Sequence, residues 1–312
     1  MQNLVVSFNA IAPLFLLIAA GFLIRRQGLV RDEALPQMNS LAFTVFLPAL
    51  LFSNLYSTNL QSAFAPDLLA YAVFAALGMY GLAVAAVCML EKDSKSRGAM
   101  IQAIYRSNFV LLGLPIVQTL FEGQDLGVTS VIIAVVVPIF NVLAVVTLEV
   151  FRGGRVQWKK VVVGIAKNPL ILASLLGFGC MALGIQLPVF LHTAIKNLAT
   201  AATPVALVVL GASIHVELIA GNTRNLVICV LGRLVAAPLL FVGGAAALGF
   251  RGIELATLLA MLAAPTAVSS FTMAQQMDSN GELAAEAVVM SSVFSCLTMF
   301  LWIFALKQLG LI

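Results

Sequence analysis

The chain has 312 residues, 62% of them apolar and 10% charged, with a mean hydropathy of +1.07, whereas soluble domains are about half apolar and a quarter charged. This composition excludes a water-soluble fold, and because a bilayer-crossing helix needs about 20 apolar residues, the many crossings this length allows leave no room for a large soluble domain. The net charge of +4 does not imply nucleic-acid binding, because in a membrane protein the placement of Lys and Arg matters more than their sum.

In chain order, a window of about 19 residues marks ten apolar segments: Val6 to Ile24, Met38 to Tyr56, Leu68 to Leu90, Ala99 to Phe121, Leu126 to Val150, Pro169 to Leu183, Val189 to Ile214, Leu226 to Leu248, Leu255 to Met277 and Ala284 to Leu306. Their lengths suit helices, and the period-two alternation of a barrel is absent. The predicted fold class is therefore an all-α membrane protein with ten transmembrane helices. The first segment has no basic residue ahead of it, and Arg25, Arg26 and Arg31 follow. That is the reverse of a cleavable signal peptide, so the segment is expected to stay as helix one. Cys88, Cys180, Cys229 and Cys296 lie in apolar stretches without short-range pairing, and are read as small buried hydrophobes rather than a disulfide or metal framework. No cofactor is expected.

Twelve Lys and Arg fall in loops one-two, three-four, five-six and seven-eight, while the opposite side has only Arg251 and Lys307. The positive-inside rule then places both termini on the non-cytoplasmic side of a cytoplasmic membrane. Arg106, Lys196 and Arg233 are left within spans.

Pro13 and Pro169, Gly21 and Gly177, Phe22 and Phe178, and Pro48 and Pro204 are each 156 residues apart, half the chain. Five spans per half is odd, so the halves 1–156 and 157–312 are expected to cross in opposite senses, the inverted-repeat plan of many secondary transporters. Span four contains Arg106-Ser107-Asn108 and Gly113-Leu114-Pro115, and span nine contains Pro265-Thr266-Ala267-Val268-Ser269. Pro115 cannot donate to the Leu111 carbonyl, nor Pro265 to that of Met261, so each helix is expected to kink or break there. Exposed backbone at membrane depth is tolerated where it lines a cavity. Two breaks crossing at the midplane would aim helix N-termini, their positive dipole ends, at one point, which favours a carboxylate.

Asn108 and Pro115 are seven apart and share a helical face, so the Asn108 amide is a candidate donor to a ligand. Arg106 is two positions away, nearly opposite on a regular helix, and a snorkelling or pairing role is expected for it ahead of substrate contact. For Arg233, anion binding and bonding to exposed carbonyls weigh equally. Lys196 reads as a snorkelling residue.

At these residues the sequence resembles the auxin efflux carrier family, which includes plant auxin exporters and bacterial permeases associated with malate and malonate. The resemblance rests on Asn108-x-x-x-x-Gly113-Leu114-Pro115, Arg233-Leu-x-x-x-Pro238, Pro265-x-x-Val268-x-x-Phe271-x-x-Ala274, and Asn39-x-x-x-Phe43 followed by Pro48-x-Leu50-Leu51-Phe52. It implies an inverted repeat in which helices 1, 2, 6 and 7 form a scaffold, often a homodimer interface, and helices 3–5 and 8–10 form a transport domain. A small organic carboxylate would sit at the crossing of broken helices four and nine, held by Asn108, Gly113, Pro115, Arg233, Pro265, Thr266, Val268 and Ser269. The long cytoplasmic loop of many plant members is missing.

Two other classes fit the sequence less well. An intramembrane hydrolase has only Gly211-Ala-Ser213 with His192 or His215 to offer, with no deep aspartate and no H-E-x-x-H. An anion channel needs a continuous polar lining, whereas polarity here gathers at two breaks. Glu149 and Glu286 lie near span ends, where solvated or snorkelled roles are expected, and the coupling ion, proton or sodium, stays open.

Overall fold

The computed structural model describes residues 2–57, 65–153, 158–213 and 223–312. All its regular elements are helices: α1 (Gln2–Arg26), α2 (Asp32–Tyr56), α3 (Pro66–Leu90), α4 (Ser94–Tyr105), α5 (Phe109–Leu120), α6 (Gly127–Phe151), α7 (Trp158–Ala166), α8 (Pro169–Ala182), α9 (Val189–Ala212), α10 (Thr223–Ala247), α11 (Gly252–Ala263), α12 (Ser269–Gln276) and α13 (Gly281–Gln308). Among the described residues six helices, α2, α3, α6, α9, α10 and α13, are long and apolar enough to cross a membrane, and α5, α8 and α11 are shorter apolar helices. The chain is thus a multi-pass membrane protein.

Starts are set by local chemistry. Asp93 accepts from the Ser96 amide at the head of α4, Asn168 caps α8 ahead of Pro169, and Asn280 caps α13, each satisfying amides that have no partner in the first turn. Three prolines inside otherwise continuous helices are absorbed by a widened π turn ending two residues earlier: Ala42–Phe46 before Pro48, Phe109–Gly113 before Pro115, and Gly232–Ala236 before Pro238. An extra residue in the turn makes room for a ring that would otherwise meet the carbonyl four residues back. The carbonyl freed by Pro238, that of Leu234, accepts from the Trp302 indole at 3.0 Å.

Helix α1 packs on α9, and α2 packs on α8 and α9. Glycines permit the approach. A Cβ on Gly21 would collide with the Val208 carbonyl and one on Gly211 with the Ile18 carbonyl, while one on Gly177 would lie 3.1 Å from the Phe52 carbonyl. Gly211→Ala is therefore expected to cost about 1–3 kcal/mol through overpacking, read as a lowered thermal midpoint in detergent, whereas Gly179→Ala, which meets open space, should leave the midpoint unchanged.

The basic loops meet on one face. Lys95 pairs with Asp278 at 2.8 Å, Asn280 donates to Ser96 Oγ, Arg224 donates to the Leu90 carbonyl, Asn225 donates to Glu91, and Ser94 donates to the Phe151 carbonyl. The Lys95 ammonium holds the Asp278 carboxyl below the usual carboxylate range, and hydrogen bonds from Ser96 do the same for Asp93. A lowered carboxyl contributes stability above the ordinary carboxylate range and loses it as pH falls, so this tie weakens on acidification. On the opposite face the Gly252 amide donates to Leu311 and the Leu187 amide to Tyr56.

Several expectations are corrected. The segment Ala99 to Phe121 is not one helix kinked at Pro115: the chain breaks at Arg106, Ser107 and Asn108, seven residues before the proline, because the π turn accommodates Pro115. All four cysteines are free, but only Cys229 is buried; Cys296 is exposed on the outer side of α13. Glu149 and Glu286, for which solvated or snorkelled roles are expected, are buried, Glu149 with Arg152 at 3.8 Å.

Candidate functional site

The two breaks cross. Residues Arg106–Asn108, between α4 and α5, run antiparallel to Pro265–Ala267, between α11 and α12, as a short bridge centred on Ser107 and Thr266. The Asn108 amide donates to the Pro265 carbonyl at 2.8 Å and the Ala267 amide to the Arg106 carbonyl at 3.0 Å. Each break leaves helix-end carbonyls without intrahelical donors at membrane depth.

Five of these carbonyls have side-chain donors. Thr266 Oγ1 donates to Ala103, and Arg233, fully buried, reaches both broken helices. Its Nε donates to Ala264 at 2.6 Å, Nη2 to Met261 at 2.9 Å, and Nη1 to Tyr105 at 3.1 Å and Ile104 at 3.3 Å. Of the two roles open to Arg233 in the sequence, this geometry is the bonding to exposed carbonyls. The guanidinium is spent on the backbone and does not line the cavity described next.

The donors are a different matter. Beside the bridge lies a cavity of about 70 Å³. One wall comes from the breaks and α6: Arg106, Ser107, Asn108, Val110, Leu111, Val137, Phe140, Asn141, Ala267, Val268 and Ser269. The other comes from α2, α8 and α9: Asn39, Ala42, Phe43, Leu47, Leu51, Leu170 and Ala206. The first wall holds nearly all the polarity; the second is apolar except for Asn39. Ser107 Oγ, Asn108 Nδ2 and Asn141 Nδ2 are buried and have no hydrogen-bond partner, as is true of Ser270 Oγ one residue beyond the lining. Asn108 is at the N-cap position of α5, and α12 begins at Ser269, so two helix N-termini, their positive dipole ends, lie at this wall.

Among the described residues Arg106 is the single charged one lining the cavity, and it is 2% exposed. Its Nη1 donates to Gln102 Oε1 at 3.1 Å and contacts Met273 Sδ at 3.0 Å, and its Nη2 donates to Asn141 Oδ1. Among the described residues no carboxylate pairs with it. Placement of Asn141 follows from the stack behind it, where the Tyr105 ring meets Phe140 edge-on at 5.8 Å and the Tyr105 hydroxyl donates to the Phe140 carbonyl. The expected position of Arg106, opposite Asn108, assumed unbroken helical periodicity. The break removes that periodicity, so both residues face the cavity.

Of the residues marked in the sequence, Asn108, Val268 and Ser269 line the cavity, while Pro265 and Thr266 build the bridge behind it. Gly113 is a close-approach position, where a Cβ would lie 2.8 Å from the Ala260 carbonyl, and Pro115 sits in the first turn after the π turn. Arg106 and Asn141 were missed as lining residues. Their signal was present as a lone arginine and a lone asparagine in apolar runs, costly residues that default to function in a membrane. The hydrolase constellation gains no support: the Ser213 hydroxyl donates to the Val209 carbonyl, His192 rests against Tyr56 with ring centroids 5.3 Å apart, and His215 lies outside the described residues.

Comparison with known proteins agrees with a transporter. The model of a family described as membrane transport protein matches residues 6–159 and 154–303. An "Uncharacterized transporter" of Methanothermobacter thermautotrophicus is 21% identical over 301 residues, covering 95% of this chain and 97% of its own. A second "Uncharacterized transporter", from Methanocaldococcus jannaschii, is 20% identical over 305 residues, covering 95% and 98%. A protein of Rhizobium meliloti named "Putative malonate transporter" is 25% identical over 300 residues, covering 92% of each. With matches along nearly its whole length, the chain belongs to the membrane transport protein family, that of the auxin efflux carriers its motifs resemble.

Proposed function

We propose that the chain is a secondary transporter of small organic carboxylates, which bind in the cavity at the crossover of the broken helices. One observation carries this reading: at the crossover five backbone carbonyls are bonded within the protein, four of them by Arg233, while side-chain donors on the cavity wall are left over. A site with surplus donors, two helix N-termini and a guanidinium that no carboxylate among the described residues pairs with suits an anion. A water takes roughly 10–15 Å³ on this measure, so the cavity suits a small acid of the malonate or malate kind better than a bulky aromatic one.

The division between the walls supports movement by alternating access of the elevator type. The polar wall, from spans four, five and nine, would travel with the substrate past the apolar wall of α2, α8 and α9, which has few polar groups to hold it back. The contacts of α1, α2, α8 and α9 support an inverted repeat of halves 1–156 and 157–312. Gly21 meets Val208 and Gly177 meets Phe52, and adding 156 to the first-half member of each pair gives the second-half member of the other. We place the protein in a bacterial inner membrane as a homodimer, with the basic loops cytoplasmic and both termini outside. Arg233 occupies four carbonyls of the broken helices that could otherwise face a sodium ion, which favours driving by protons or membrane potential.

Purified protein in liposomes is expected to move a labelled mono- or dicarboxylate. Asn108→Ala removes a donor to a charged ligand and should reduce flux about 10- to 150-fold with an unchanged thermal midpoint. No flux for a broad carboxylate panel under pH, sodium and potential gradients would overturn the reading.

A further inference from the structure

We infer that Arg106 is a substrate ligand that holds the second carboxylate of a dicarboxylate and sets the preference of this transporter for dianions over monoanions. The inference rests on the reading of the cavity as a carboxylate site. It starts from a count of donors. A guanidinium has five N–H groups. Nη1 spends two, on Gln102 and Met273, and Nη2 spends one, on Asn141. Nε–H and the second Nη2–H are left, two donors, the number a carboxylate takes from a bidentate arginine.

Arg106 is also anchored from three helices, through Gln102 on α4, Asn141 on α6 and Met273 on α12, so the charge is held in place before a ligand arrives. Apart from these two N–H groups, the wall still presents Ser107 Oγ, Asn108 Nδ2 and Asn141 Nδ2 without partners. The two oxygens of one carboxylate can satisfy Arg106 or the amide and hydroxyl group around Asn108, and leave the remainder buried and unpaired, which is unfavourable. A short diacid has four oxygens and satisfies both. Its second charge also meets Arg106, which among the described residues is the only cation lining the cavity and has no carboxylate paired with it. A monoanion that uses the Asn108 side leaves that guanidinium uncompensated in the membrane.

The test compares malonate, the acid in the name of the Rhizobium meliloti relative, with its monoamide, malonamate, which has nearly the same size and one carboxylate. Binding and liposome uptake of both are measured for the wild type, Arg106→Gln and Asn141→Asp. The wild type should prefer malonate at least about thirtyfold, the effect of removing one partner of a buried charge pair. Arg106→Gln should lose malonate by a similar factor and keep malonamate within about threefold. Asn141→Asp places a carboxylate beside Arg106 and supplies the missing counter-ion from the protein; it should fold and shift the preference in the same direction. If Arg106→Gln does not fold, Asn141→Asp decides. Equal losses for both acids in the variants, or an unchanged preference for malonate, overturns the assignment. A wild type that handles both acids equally well overturns it too, while leaving the carboxylate reading intact. A wild type that takes no carboxylate at all overturns that reading instead.

Discussion

Arg233→Leu is expected to prevent the protein from reaching a monodisperse folded state, or to lower its thermal midpoint in detergent by more than any other substitution considered. Four backbone carbonyls, those of Ile104, Tyr105, Met261 and Ala264, depend on this one guanidinium. An unpaired buried polar group costs about 1–3 kcal/mol, and loss of a partner from a buried charged network about 3–5 kcal/mol. Against a total stability of about 5–15 kcal/mol, either figure is a large fraction. Arg233→Lys should be intermediate, since a compact ammonium with three donors cannot span two helices as a planar fork does. Thermal midpoint and the monodisperse fraction on size exclusion measure both variants. An Arg233→Leu protein that kept its midpoint and lost only carboxylate binding would return Arg233 to the role of ligand.

The contrast between Arg233 and Arg106 shows how far sequence carries the argument. Both are lone arginines in apolar runs, and both are marked there as costly. Nothing in the local sequence says that one faces carbonyls and the other a cavity, because the carbonyls are on helices 28 to 129 residues away. The prolines mark spans four and nine as irregular, and in span nine the chain leaves the helix at Ala264, next to Pro265. In span four the π turn at Phe109–Gly113 displaces the irregularity toward the N-terminus. A π turn has no residue signature of its own beyond the proline that follows it, so the seven-residue offset was not legible. Face assignments made across that offset failed with it. Asn108 lies at the crossover because it occupies the N-cap position of the second half-helix. Asn141 was invisible for another reason: its place beside Arg106 is set by the Tyr105 and Phe140 contact between α4 and α6, a tertiary fact.

A disulfide across the two walls of the cavity is expected to stop transport. Ala42 in α2, Leu111 in α5 and Ala206 in α9 form one small buried cluster, in which the first and third residues belong to the apolar wall and the second to the wall of broken helices. If the latter wall carries the substrate past the former, Ala42→Cys with Leu111→Cys, oxidised, ties together parts that must slide. The background needs Cys88, Cys180, Cys229 and Cys296 replaced, since all are free thiols. Flux should fall to that of empty liposomes on oxidation and return with reductant. The control is a pair inside the moving unit: Thr129 in α6 and Thr257 in α11 touch through their hydroxyls at 2.7 Å, and cysteines there, once oxidised, should leave flux intact. A linked wall pair that still transports at full rate would mean that the walls do not move against each other. A Thr129 and Thr257 pair that blocks flux as completely as the first would place the motion within the crossover itself, where domain sliding does not put it.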